Sequence, residues 1–172
     1  GGLPAPQTFP LKELTEVAVK VREKDGVGAM QYGPSLGYAG LRKAIAERMN
    51  RLYGTAISHD DIIINSGSQQ GLVYCGRVLL DKDDVVLIES PSYLGAINAF
   101  ALQQPRFVEV PTDEKGMIPE ELDKILASTP RVKMIYVIPN YQNPTGITWP
   151  LERRKQFMDV VNRYEIPVIE DN

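Results

Sequence analysis

Cysteine and histidine are almost missing from these 172 residues: Cys75 and His59 stand alone. A single cysteine excludes an internal disulfide framework and suits a reducing compartment. Its apolar, helix-like surroundings mark it as a buried inert thiol rather than a nucleophile. A single histidine removes any metal site built on a histidine cluster, and Ser58-His59-Asp60-Asp61 reads as an exposed turn. An excess of one charge is lacking too: a formal net charge of -3 and a pI near 5.3 offer no basic character for nucleic acid. No apolar run approaches the length of a membrane span. Gly1-Gly2-Leu3-Pro4 has neither the basic flank nor the apolar segment of a secretory leader. The expectation is a cytoplasmic protein that engages neither nucleic acid nor membrane.

What the chain does have is the composition of a globular domain, 43% hydrophobic and 24% charged. Its length supports one substantial core, burying about 70% of the unfolded surface. After an extended arm rich in glycine and proline, periodicity predicts a helix over 11–24 with Leu14, Val17, Ala18 and Val21 on its apolar face. A glycine-rich loop follows over 25–37. A second helix is predicted over 38–53, with Leu41, Ile45, Met49 and Leu52 as its buried stripe and Gly54 as its stop. From there strand-like and helix-like runs alternate. Strands are predicted at 62–64, 84–89, 106–110, 134–138 and 167–169, and helices at 69–80, 93–103, 119–127 and 150–164. That alternation predicts an α/β fold, a mainly parallel sheet with helices on both faces.

Four stretches sit where such a sheet places its ligands, just past strand ends. Ile138-Pro139-Asn140-Tyr141-Gln142-Asn143-Pro144-Thr145-Gly146 cannot continue as strand or enter a helix, because it holds two prolines and a glycine. It is a rigid loop presenting the amides of Asn140, Gln142 and Asn143. Ser66-Gly67-Ser68-Gln69-Gln70-Gly71 lies between a strand and a helix. There, glycine permits close backbone approach and the first helical turn offers unpaired N–H groups to an anion. The alternative for this stretch is plain N-capping by Ser66 or Ser68. Pro91-Ser92-Tyr93 sets an aromatic ring past a strand, able to lie on a flat heteroaromatic or to serve as a core tyrosine. Asp171 ends an apolar strand, where a poorly solvated carboxylate needs a partner.

Tyr32-Gly33-Pro34 with Gly37 and Leu41-Arg42, then Ser66-Gly67-Ser68-Gln69-Gln70, Pro91-Ser92-Tyr93, Asn143-Pro144-Thr145-Gly146 and Glu170-Asp171 occur in the order of the class I/II aminotransferases. The chain resembles that fold-type-I family of pyridoxal-phosphate (PLP) enzymes along nearly its whole length. The opening Gly1-Gly2-Leu3-Pro4-Ala5-Pro6 is most similar to the 2-aminoadipate/kynurenine branch. The resemblance implies an interface arm over 1–12 followed, over 13–172, by the first part of the large PLP-binding domain. It implies that Gly67, Ser68 and Gln69 hold the cofactor phosphate and that Tyr93 stacks on the pyridine ring. Asn143 would donate to the ring's phenolic oxygen and face the substrate, and Asp171 would pair with the ring nitrogen. Tyr32 would reach the phosphate of the neighbouring subunit of a homodimer, and Gly2 would line the substrate pocket. The bonds Ser90-Pro91 and Asn143-Pro144 are expected to be cis.

The implied reaction moves an amino group between an amino acid and a 2-oxo acid. The implied lysine of the resting Schiff base has no counterpart here. Every lysine from Lys12 to Lys155 lies in a helical or charged surface context, and none follows Asp171. No catalytic residue is therefore assigned, and the chain, expected to be an N-terminal fragment, is expected to be inactive alone. The competing expectation is an aminotransferase-like effector domain behind a winged-helix DNA-binding domain in a transcriptional regulator.

Overall fold

The computed structural model describes residues 3–172, which divide into two compact units with the boundary between Ile64 and Asn65. In the first unit, helix α1 runs Leu11–Met30 and helix α2 runs Ala39–Tyr53. The glycine-rich segment predicted as loop is therefore partly helical: α1 breaks at Asp25 (φ -150°, ψ 45°) and resumes for another turn before Gln31 closes it. Gly54 ends α2 in the left-handed conformation, φ 66°, with its N–H on the Asn50 carbonyl.

The two apolar faces are correctly spaced but open. Leu14, Val17 and Val21 are exposed, as are Leu41 and Leu52, and no residue of α1 is buried. What α2 does bury is Ala46 and Arg42. The Arg42 guanidinium donates to the carbonyls of His59 (2.6 Å) and Gly37 (3.3 Å), so it ties two loops to one helix. The predicted strand over 62–64 forms no ladder. Ile64 donates to the Leu36 carbonyl at 3.0 Å, and no strand lies beside it among the described residues.

The second unit carries α3 (Ser68–Leu79), β1 (Val85–Glu89), α4 (Leu94–Ala101) and β2 (Arg106–Val110). There follow a two-residue hairpin, β3 (Thr112–Asp113) with β4 (Gly116–Met117), then α5 (Pro119–Ser128), β5 (Val132–Val137), α6 (Leu151–Val161) and β6 (Val168–Glu170). The hairpin was not predicted; strands this short carry no periodicity. The main sheet is parallel throughout, in the order β2-β1-β5-β6.

Its connections explain why both faces are covered. From β1 the chain steps one way to β2, then crosses back past β1 to β5 and on to β6. Crossovers of one hand running in opposite directions put their helices on opposite faces. Alternation along the strands records the result. Val85 and Leu87 of β1, with Ile135 and Val137 of β5, pack beneath α5 and α6 through Leu122, Leu126, Phe157 and Val160. Val86 and Ile88, with Met134 and Tyr136, pack on the other face against Leu72, Ala96 and Phe100 of α3 and α4. No helix among the described residues is long and apolar enough to cross a membrane.

Candidate functional site

Reversal of direction between β1 and β5 opens a crevice beyond their carboxyl ends, the place where open α/β sheets bind ligands. The loops there are held by buried side chains. Glu89, the last residue of β1, is 1% exposed; its carboxylate accepts the Ile138 amide (2.9 Å) and the Trp149 indole N–H (3.2 Å). Burial pushes the Glu89 carboxyl above its usual range, against those two donations. Gln142 turns inward, 3% exposed, so of the three amides expected to face a ligand this one does not. It donates to the Pro91 carbonyl (2.8 Å) and accepts from the N–H and hydroxyl of Thr145 (2.9 and 2.7 Å). One side chain thus joins the loop after β1 to the loop after β5. Asn140 is engaged too, donating to the Asn172 side chain and accepting from Arg154. Asn143 is exposed, and the peptide bonds Ser90-Pro91 and Asn143-Pro144 are both cis.

At the start of α3, Gly67 is the N-cap with φ 82°, a conformation that favours glycine. No side chain caps this helix, so capping by Ser66 or Ser68 does not occur. Among the described residues the amides of Ser68 and Gln69 have no acceptor, and they face outward as the positive end of a twelve-residue helix. The Gln69 side chain is committed elsewhere: it donates to the Gly95 carbonyl (2.9 Å), linking the first turns of α3 and α4.

Tyr93, the N-cap of α4, lies over that same Gly95. A Cβ on Gly95 would come within 2.4 Å of the tyrosine ring, so the missing side chain makes the ring's seat. The Ser92 hydroxyl beside it is buried without a partner. Asp171 follows β6, half-buried, with its N–H on the Val137 carbonyl (3.0 Å). Its Oδ2 accepts the Tyr136 hydroxyl at 2.8 Å, the partner that a poorly solvated carboxylate requires. Burial first, and then Asp171, drive the Tyr136 phenol far above its usual range, with Tyr93 and Glu89 adding to the same push. Tyr136 and Glu89 were not predicted to belong here, because each sits in an apolar strand where the pattern indicates only core.

Free helix-end amides, a seated aromatic ring and a carboxylate with one oxygen still open are thus linked stepwise, through Gly95 from Gln69 to Tyr93 and through the shared cluster from Tyr93 to Tyr136 and Asp171. That donor set fits a flat aromatic cation bearing a phosphate. Tyr32 lies in the other unit, where it is fully exposed, and Gly2 lies outside the described residues.

Residues 5–172 match the family Aminotransferase class I and II. The chain is 41% identical to aromatic-amino-acid aminotransferase 1 of Thermococcus litoralis and 42% identical to 2-aminoadipate transaminase of Thermus thermophilus; each alignment covers all of this chain and 42% of the relative. Among solved structures it resembles a kynurenine aminotransferase of Pyrococcus horikoshii in complex with PMP (TM-score 0.93, 39% identity), across 99% of this chain and 43% of that one. It resembles the α-aminoadipate aminotransferase of Thermus thermophilus, complexed with N-(5'-phosphopyridoxyl)-L-leucine, with TM-score 0.90 and 41% identity, across all of this chain and 42% of that one. The chain thus spans about 42% of the length of the curated relatives it matches.

Proposed function

Because this chain belongs to the class I and II aminotransferase family, we propose that it supplies most of the PLP site of an enzyme that moves amino groups between amino acids and 2-oxo acids. What supports this reading is a relay of contacts at the strand ends: Gln69 donates to Gly95, Tyr93 lies over Gly95, and Tyr136, which packs in the same cluster as Tyr93, donates to Asp171. When bound, PLP serves as an electron sink for the substrate's amino carbon, deepest when its ring nitrogen keeps a proton.

The chain's residues do the holding and orienting. The amides of Ser68 and Gln69 receive the phosphate, with Gly67 allowing close approach. Tyr93 fixes the plane of the ring, and Asn143 donates to its phenolic oxygen while facing the substrate. Asp171 keeps the ring nitrogen cationic, since an opposite charge at short range favours the protonated form. Tyr32 reaches the phosphate across a homodimer interface, a reading supported by the open apolar face of α1, and Gly2 borders the substrate. The compartment is cytoplasmic, in keeping with a single, half-buried thiol. No observation favours the regulator.

The test uses the gene product that carries this chain. It should bind PLP, turn yellow and convert an aromatic or aminoadipate-like amino acid to its 2-oxo acid. Asp171→Ala should lose turnover while still folding. The 172 residues alone should show none, since no lysine in them meets the requirement for covalent attachment. Failure of the whole protein to bind PLP would overturn the reading.

A further inference from the structure

We propose that Tyr136 is a positioning residue: it locks the Asp171 carboxylate so that one oxygen meets the ring nitrogen of bound PLP in a single direction. The inference rests on the function proposed above and concerns a side chain that the motifs do not include.

The geometry follows from strand register. Tyr136 pairs with Ile169 across β5 and β6, and both project toward the α3/α4 face. Asp171 lies two residues beyond Ile169, so its side chain leaves the strand on that same face. Its backbone is already fixed, through the Val137 carbonyl. Its half-exposed carboxylate would otherwise be free to turn. Tyr136 has no such freedom. It is 0% exposed, and its ring meets Phe100 edge-on, with centroids 5.6 Å apart and planes at 74°. The hydroxyl therefore projects from a rigid base, and its 2.8 Å donation to Oδ2 holds the carboxylate in one rotamer. Oδ1 accepts nothing among the described residues and is the oxygen left for a cation.

The phenol is also a dependable donor. Burial and the neighbouring carboxylate keep it from ionising across the pH range in which a protein works. An opposite charge strengthens a cation's hold on its proton most when distance and direction are fixed. A carboxylate that swings does this less well.

Tyr136→Phe removes one oxygen and keeps every apolar contact, so the fold is not put at risk. The whole gene product would be loaded with PLP labelled with nitrogen-15 in the ring, and its nitrogen resonance followed with pH. The unmutated protein should hold the protonated-ring signal to higher pH than Tyr136→Phe, and Asp171→Asn should lose it altogether. Alongside, kcat should fall about tenfold in Tyr136→Phe, the scale of one hydrogen bond to a charged group, with KM little changed. An unmoved nitrogen resonance in Tyr136→Phe, with Asp171→Asn still losing it, would overturn the inference alone. A variant that failed to fold would overturn it as well, by making the hydroxyl a determinant of the fold. If the unmutated protein bound no PLP, the functional reading itself would fall.

Discussion

Glu89 and Trp149 meet beneath the crevice, carboxylate to indole N–H at 3.2 Å, while the other carboxylate oxygen accepts the amide of Ile138. The last residue of one central strand thereby holds the first residue past the other, along with the loop's far end at Trp149. The pair is why the loop from Ile138 to Trp149, with its two prolines, has one shape.

Glu89→Gln should destabilise the protein by about 1–3 kcal/mol, because an amide offers one acceptor where two buried donors need one each. A protonated glutamic acid keeps both oxygens as acceptors, so pH separates the two cases. Burial raises the folded-state pKa of Glu89, so between the unfolded value, about 4.3, and that higher one the folded state binds more protons. Stability then rises as pH falls through the folded pKa. Urea melts from pH 7 toward pH 4.5 should show the wild type gaining on Glu89→Gln; a constant gap would refute the titration.

Gln142 is the second tie. Gln142→Leu removes the donor to Pro91 and the acceptor for Thr145 together, at roughly 1–3 kcal/mol given about 0.5–1.5 net for each of the two links between part-buried groups. Gln142→Glu keeps an acceptor for Thr145 but loses the link to Pro91 and sets a second carboxylate beside the buried Glu89. Hydrogen exchange tests the distinction. The Thr145 amide should exchange faster in the leucine variant and stay protected in the glutamate variant.

Legibility in the sequence followed how much a residue's neighbours along the chain decide. β1 was readable as Val85-Val86-Leu87-Ile88 because a strand covered on both faces needs apolar residues at every position. The turn before α3 was readable because Gly67 answers a backbone requirement that only glycine meets easily. Ile62-Ile63-Ile64 is as apolar as Val85–Ile88 of β1 yet forms no ladder, since pairing is set by what lies alongside. The break at Asp25 hid one more turn of helix behind two glycines. Tyr136 was invisible for a different reason. Inside Met134–Ile138 it looks like core, and only the register with β6 reveals that its hydroxyl meets a carboxylate 35 residues later.

Arg153 and Asp113 supply a pH dependence of the opposite sign from Glu89. The guanidinium on α6 makes two hydrogen bonds to the β3 carboxylate, at 2.7 and 3.0 Å, and two more to the carbonyls of Gly116 and Met117. Hydrogen bonding from Arg153 holds the Asp113 carboxyl below its usual range. A depressed carboxyl pKa contributes stability that is present above the unfolded value, about 3.9, and is lost as pH falls through the folded one. Asp113→Asn should cost about 1–2 kcal/mol at pH 7, discounted because the carboxylate is 30% exposed. The wild type's advantage over the variant should shrink between pH 4 and pH 2 in thermal melts. An advantage that persisted there would contradict the pairing.

Gly95 offers a way to disturb the crevice without weakening the fold. Its Cβ position lies 2.4 Å from the Tyr93 ring carbon and 2.5 Å from its hydroxyl, so Gly95→Ala must push the ring off its seat. The atoms in the way end a flexible side chain, which can swing aside into solvent. In the first turn of α4, alanine meanwhile gains about 0.5–1 kcal/mol over glycine in helix propensity. Stability and binding should therefore part: the melting temperature holds or rises while affinity for PLP falls. The stacking at stake, about 0.5–1.5 kcal/mol beyond burial, corresponds to roughly a two- to tenfold weaker Kd. Tyr93→Ala should weaken binding further and Tyr93→Phe hardly at all, since the ring rather than the hydroxyl makes the contact. Fluorescence titration with PLP against the three variants checks the order; a Gly95→Ala protein binding as tightly as the wild type would show that Tyr93 is not the ring's platform.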